Sequence, residues 1–220
     1  MSAVASSPRP DAIQSALRDA IVDGREAPGS SLTESAVAMR FGVTRPTAKL
    51  ALERLVADGL LRRAPHQAAR VPELTADDIR DLFDNRAIVE GAAAAALAVV
   101  GAVPAATVAA QRELRAHPGN FAHDDIAFHR ALVAGQPSAR LTRMHELLMG
   151  EVELCIGQVQ AHRLLEAGEV AEQHQRILDA IAASDPAGAE RLTRQHIGGA
   201  RDALLAHLAA SRGTAADGED

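Results

Sequence analysis

The chain has no tryptophan and no tyrosine. Its aromatic content is only 2% although hydrophobic residues make up 47% of the 220 positions. A core so poor in rings must be filled by Ala, Leu, Val and Ile, which suits closely packed helices and argues against an aromatic-rich sandwich of strands. A single cysteine, Cys155, excludes an internal disulfide and fits a reducing compartment. No run of eighteen apolar residues occurs. The longest candidate, Gly91 to Val103, is short and ends at Pro104. No secretory hydrophobic segment follows Met1, so the expectation is a cytoplasmic protein without a membrane partner. Lysine is nearly missing as well: Lys49 is the one lysine among 23 basic residues.

Punctuation divides what remains. The expected organisation is a disordered polar tail over residues 1–10, a first unit over 11–72, a second over 73–211, and another disordered tail over 212–220. Within the first unit, Ile13, Leu17, Ala20 and Ile21 fall at helical spacing, and Pro28-Gly29 then breaks the chain. Thr33 with Glu34 reads as an N-cap and acidic first turn of a short helix, with Ala36, Val37, Met39 and Phe41 as its apolar stripe. Gly42 stops that helix and Val43 packs in the turn. Thr44 caps a second helix with Pro46 near its start, and Ala48, Leu52, Leu55 and Val56 give it a buried face. Gly59 closes it. Leu60 to Arg63 and Ala69 to Val71 then read as two short strands joined through Ala64 to Ala68.

Helix, turn, helix and basic hairpin in that order make a winged helix-turn-helix, the arrangement that enters a DNA groove. Charge supports the reading. Seven basic residues, Arg40, Arg45, Lys49, Arg54, Arg62, Arg63 and Arg70, stand between positions 40 and 70 against only Glu53 and Asp58. Residues 73–220 carry thirteen basic and twenty-two acidic side chains, so phosphate is expected to meet the N-terminal unit alone. Arg45, Thr47 and Lys49, after the Thr44 cap, lie where base edges would be read. Arg62, Arg63 and Arg70 suit phosphates, with Arg40 and Arg54 further candidates.

The second unit shows no strand signal. Helices are expected at about 76–100, 105–116, 121–134, 138–160, 166–183 and 187–210, separated at Pro104, Pro118-Gly119, Pro137 and Pro186, giving an antiparallel bundle of about six helices. Thr75 caps the first, with Asp77 and Asp78 in its first turn. Asp125 and His129 lie one helical turn apart on one face, and His174 and His196 sit near the apolar stripes of two other helices. Three imidazoles and a carboxylate in one interior suit a divalent transition metal such as Zn, Ni, Fe, Co or Mn, and not Ca. His66, His117, His123, His145, His162 and His207 are read as having no such role, with His123 and His145 the first spares among them.

The residues resemble the GntR superfamily of bacterial transcription regulators, in the FadR-like branch with an FCD ligand-binding domain. The resemblance covers about residues 11–211. Pro28-Gly29-x-x-Leu32-x-Glu34 carries it first, then Phe41-Gly42-Val43-Thr44-Arg45 followed by Ala51-Leu52-x-x-Leu55-x-x-x-Gly59-Leu60. In the second unit it rests on Arg86-x-x-x-Glu90, Asp125-x-x-Phe128-His129, His174-x-x-Ile177 and His196. It implies a mainly α protein, a homodimer that binds a double-stranded DNA operator and answers to a small organic acid. The metal would be held by Asp125, His129, His174 and His196. Arg86 would either clamp an effector carboxylate or pair with Glu90 at i,i+4.

The chain also departs from the family. Relatives commonly read Ser-Arg-Thr-Pro-Val-Arg-Glu-Ala-Leu where this chain has Thr44 to Leu52, so Lys49 replaces an arginine and Leu50 a glutamate, and an operator sequence does not transfer. The wing lacks the usual glycine near Ala68 and Ala69, and Gln136 stands in place of a common asparagine. Two other readings compete. A metal sensor without an organic effector would respond to the ion alone. A His/Asp metalloenzyme would need a general base or nucleophile that the sequence does not offer, and would have no use for a basic head, so an enzyme is not expected.

Overall fold

A computed structural model describes residues 9–216, so of the expected tails only 1–8 and 217–220 lie outside the described residues. The chain forms two compact units, Met1–Glu73 and Leu74–Asp220.

The first unit holds α1 (Pro10–Val22), β1 (Ser31–Leu32), α2 (Glu34–Phe41), α3 (Arg45–Ala57) and β2 (Ala69–Arg70). Ile13, Leu17, Ala20 and Ile21 of α1 are buried, as are Ala48, Ala51, Leu52 and Leu55 of α3, and the two helices pack together. Thr33 and Thr44 accept hydrogen bonds from the backbone N–H groups of Ala36 and Thr47, capping α2 and α3. Gly42 ends α2 in the left-handed region at φ 64°, where a side chain would clash with its own backbone. The stripe expected on α2 is corrected. Val37 and Ala38 are its buried residues, while Met39 is 82% exposed and Ala36 also faces out, because in eight residues the packed face is only one turn wide.

The expected hairpin is smaller than its sequence suggested. Leu60 and Leu61 are both buried in the core instead of alternating along a strand. The two arms meet at one bridge, where Arg62 and Arg70 exchange backbone hydrogen bonds of 2.8 and 2.9 Å. β2 finds its second partner in β1, antiparallel with Ser31 opposite Arg70, a strand the sequence reading missed. The wing turn dispenses with glycine by placing His66 itself at φ 62°.

The second unit is α4 (Ala76–Val99), α5 (Ala105–Ala116), a 3-10 turn (Pro118–Asn120), α6 (Phe121–Ala134), α7 (Ala139–Ala161), α8 (Ala167–Ala182) and α9 (Pro186–Ala216). Thr75 and Asp78 form a reciprocal capping box that starts α4. α9 continues to Ala216, five residues into the stretch expected to be disordered from Arg212 onwards. The most extensive packing is of α4 on α9, followed by α5 on α6, then by α6 on α7 and α8 on α9.

Two apolar clusters fill this bundle. One gathers Phe83, Ile126, Met149, Val152, Ala171 and Ile197, and the other gathers Ala94, Phe128, Leu132, Ile177 and Ala189. α4, α6, α8 and α9 each contribute to both clusters. A layer of buried polar side chains stands on the same helices: Arg86 and Glu90 on α4, Asp125 and His129 on α6, His174 on α8, His196 on α9.

Candidate metal centre and nucleic-acid face

The buried polar layer brings together all four metal-ligand candidates. Asp125, His129, His174 and His196 each offer a donor atom within 4.8 Å of the others, and all four are buried. The separations are 3.0 Å from His129 Nε2 to His196 Nε2, 3.2 Å from His174 Nε2 to His196 Nε2, and 3.3, 3.7 and 3.8 Å from Asp125 Oδ1 to His174, His129 and His196. A tetrahedral ion with bonds of about 2.0–2.1 Å sets its ligand atoms about 3.4 Å apart, so the cluster has the size of one coordination sphere.

Hydrogen bonding behind the rings fixes which nitrogens face inward. His129 Nδ1 lies 2.5 Å from Glu90 Oε2, and a carboxylate only accepts, so Nδ1 carries the proton. His196 Nδ1 donates to Gln173 Oε1 at 2.7 Å. The Nε2 atoms of both rings are therefore bare in the neutral state, and two lone pairs held 3.0 Å apart repel unless a cation lies between them. His174 is steadied differently, its ring stacked on Phe128 with centroids 3.7 Å apart. Asp125 Oδ2 and His174 Nδ1 are buried without a hydrogen-bond partner. The donor set, its spacing and its unshared lone pairs all fit a divalent transition ion.

Electrostatics follow from depth. Burial works against ionised Glu90, but Arg86, His129 and His145 outweigh it and hold the carboxyl well below its usual range. Burial likewise opposes Asp125, and His129 with His174 reverse the effect. His129 is pushed down by burial yet ends raised, because Glu90 and Asp125 favour its cation against the opposing charge of Arg86. His174 falls to about 4 through burial, partly countered by Asp125, and His196 is lowered by burial together with His174 and His129.

Arg86 pairs with Glu90 through Nε at 2.7 Å, while Nη1 and Nη2 are buried without partners. His145 was set aside on sequence, yet it is 1% exposed and its Nε2 lies 2.9 Å from Glu90 Oε1. A signal for it existed: His145 stands four residues before Met149 and seven before Val152, in the core register of α7. A cavity of about 90 Å³ bounded by Gln173, Arg176, Leu192 and Gln195 reaches His196.

On the first unit, Arg45 and Lys49 stand exposed on α3 with Thr47 half-buried, and the hydroxyls of Thr44 and Thr47 are 2.9 Å apart. Many of the basic candidates have partners within the chain. Arg40 pairs with Glu26 at 2.6 Å, Lys49 with Glu53 at 3.6 Å, Arg63 with Glu34 at 3.6 Å, and Arg54 with Asp11. Arg70 donates to the Gly29 carbonyl at 3.0 Å, and Arg62 is tied to it through the backbone.

Comparison with known proteins agrees with this division of labour. Residues 10–71 match the gntR family of bacterial regulatory proteins and residues 81–199 match the FCD domain. A protein of Paenarthrobacter nicotinovorans named as a probable D-xylose utilization operon transcriptional repressor is 29% identical over 198 residues, covering 84% of this chain and 85% of its own. The HTH-type transcriptional repressor GlaR of Escherichia coli K12 is 28% identical over 198 residues, covering 82% and 89%. Among solved structures, a GntR transcriptional regulator from Rhodococcus sp. RHA1 superposes with a TM-score of 0.76 at 26% identity over 90% of this chain and 97% of that one. Escherichia coli McbR/YncC shares the fold with a TM-score of 0.70 at 21% identity, over 90% and 97%. The two curated relatives are named as transcriptional repressors and the Rhodococcus structure as a transcriptional regulator. The FCD match alone spans more than half of the sequence, and the chain belongs to the GntR family of bacterial transcription regulators that carry an FCD domain.

Proposed function

We propose that this regulator is a cytoplasmic homodimer whose helical domain binds a divalent transition metal through Asp125, His129, His174 and His196, with a small organic acid beside the ion modulating operator binding. The observation that carries the reading is the convergence of four buried donor atoms from three helices at coordination spacing inside the bundle. When bound, the ion supplies a Lewis-acidic attachment point for an anion and ties α6, α8 and α9 together. Charge supports an anionic effector: a divalent ion with Arg86, set against Glu90 and Asp125, leaves the buried layer with one excess positive charge. Two guanidinium nitrogens on Arg86 are buried without partners and offer N–H donors to a carboxylate.

In the DNA-binding domain, Arg45, Thr47 and Lys49 are assigned to base edges and Arg62, Arg63 and Arg70 to phosphates, with Thr44, Arg40 and Arg54 at the margin. The acidic partners of Arg40, Arg54, Arg63 and Lys49 must yield for those contacts to form. Occupation of the helical domain would act by favouring one of two arrangements of the dimer's reading heads.

A second reading, metal sensing without an organic effector, is favoured by one observation: the cavity that reaches His196 is about 90 Å³, room for an ion or water and small for most organic acids. Operator affinity measured by fluorescence anisotropy on the DNA upstream of the gene separates the two. Apo-protein, Zn(II)-loaded protein and loaded protein with a panel of small carboxylic acids are compared. A response to an acid only in the loaded protein supports the first reading, and a response to the ion alone supports the second. Metal-independent binding that no acid alters would overturn both.

A further inference from the structure

Among the described residues, the three imidazoles of the centre differ in what stands behind them. His196 Nδ1 meets a neutral amide, Gln173, and His174 Nδ1 is buried without a partner. His129 Nδ1 alone meets a carboxylate, and that carboxylate, Glu90, is fully buried and held from two further directions. Arg86 Nε donates to Oε1 at 2.7 Å and His145 Nε2 to the same oxygen at 2.9 Å, while Oε2 is left for His129 at 2.5 Å. Groups from α4, α6 and α7 thus meet at one side chain that is not itself among the four donor candidates. Burying an ion so completely is costly, and a simple i,i+4 pair with Arg86 would leave Oε2 unused.

We propose that Glu90 is the positioning residue of the metal centre: clamped by Arg86 and His145, its carboxylate holds the Nδ1–H tautomer of His129 and aims the Nε2 lone pair at the cation. The inference rests on the metal reading given above. Two consequences follow from the geometry. First, three accepted hydrogen bonds leave Glu90 little freedom to rotate, so the ring of His129 is set before the ion arrives and less ordering is required on binding. Second, a carboxylate behind an imidazole raises the basicity of the distal nitrogen, so His129 is the strongest nitrogen donor of the three, with His196 next and His174 weakest. His145 acts at one remove. Its N–H fills a lone pair on Oε1 and keeps Oε2 turned toward His129, a role that any N–H donor of similar reach would serve.

The test uses full-length protein and Co(II), whose visible absorption reports coordination, titrated against a chromophoric chelator. Outer partners of metal-bound histidines typically change affinity by about 10–100-fold, so Glu90→Gln is expected to weaken Co(II) binding within that range. Because Glu90→Gln leaves Arg86 without its counter-charge and risks misfolding, His145 supplies a second arm. His145→Leu, which removes the donor, is expected to weaken Co(II) by at least threefold, and His145→Gln, which restores an N–H, to stay within twofold of the original. Long-range proton–nitrogen spectra of the Zn(II)-loaded protein are expected to show His129 protonated at Nδ1 and coordinated through Nε2. Unchanged Co(II) affinity in Glu90→Gln, equal affinities for the two His145 variants, or a His129 bound through Nδ1 would each overturn the proposal while leaving the metal reading in place. Failure of the unaltered protein to bind Co(II) would overturn both together.

Discussion

His129 Nε2 on α6 and His196 Nε2 on α9 face each other across 3.0 Å, although 67 residues separate them in the chain. Each ring already donates its Nδ1 proton outward, to Glu90 and to Gln173. Whatever occupies the space between them has to be positive: a shared proton when the site holds no metal, or the metal itself.

Exchange of one for the other is measurable. His129 has a raised pKa, while His174 at about 4 and His196 well below the usual value are neutral at pH 7. Below the raised pKa of His129 a metal must displace its proton, and above it there is none to displace. Zn(II) binding is therefore expected to release protons at pH 6, below even the ordinary imidazole value, with the release falling toward zero as pH rises through the raised one. Calorimetry in buffers of different ionisation enthalpy reads the release directly, and buffer-independent heats at pH 6 would contradict it.

Removal of the ion should loosen the bundle. A ligand present at about 100 times its Kd stabilises by about 2.7 kcal/mol, which in a chain of this size corresponds to about 5–10 °C in Tm. Chelator is expected to lower the melting temperature by that amount in the unaltered protein. His174→Ala should already melt low and show no further drop, and a chelator-insensitive melting point in the unaltered protein would sink the structural role of the ion.

Cys155 tests the packing of the apolar layer. It is 2% exposed, and burial is the main cause that pushes its thiol up to about 12. Since the thiolate is the reactive form, a thiol-specific disulfide reagent at pH 8 should find no reactive group in the native protein and one per chain after denaturation. Rapid labelling of the folded protein would mean that the core opens far more readily than the structure implies.

Gly42 should be sensitive for a purely conformational reason. A Cβ added there meets nothing within 4 Å, yet φ is 64°. Gly42→Ala is expected to destabilise the DNA-binding domain by about 1–2 kcal/mol and Gly42→Asn by less, since asparagine tolerates the left-handed region. Denaturant titration followed by circular dichroism distinguishes them, and equal stability of both variants with the parent would refute the explanation.

Arg45 is the sharpest probe of the DNA face. If it reads a base edge, Arg45→Ala should cost about 1–3 kcal/mol on the preferred operator and little on unrelated DNA. Equal loss on both, with a salt dependence shallower by about 0.9 in log–log slope, would instead make it a phosphate contact.

Local signals carried a large share of the fold. Thr33, Thr44 and Thr75 cap helices because their hydroxyls reach the backbone N–H groups three residues on, a relation contained within four residues of sequence. Asp125 and His129 share a face for the same local reason. Where the sequence misled, the deciding partner was distant. Leu60 and Leu61 read as strand, but the core of the first unit takes both, and β2 pairs with β1 from across the domain. The i,i+4 spacing of Arg86 and Glu90 leaves open an ion pair or an effector clamp, and only the approach of α6 and α7 turns Glu90 toward His129 and His145.

The sequence by itself determined that the chain has a basic reading head and an acidic helical domain, and which residue types were available as ligands, because capping, periodicity and charge act over a few residues. Only the tertiary structure decided that donors from α6, α8 and α9 converge, that His145 belongs with them and that Glu90 stands behind His129. Those relationships are set by how helices cross, and a crossing depends on the packing of whole faces that no single stretch of sequence contains.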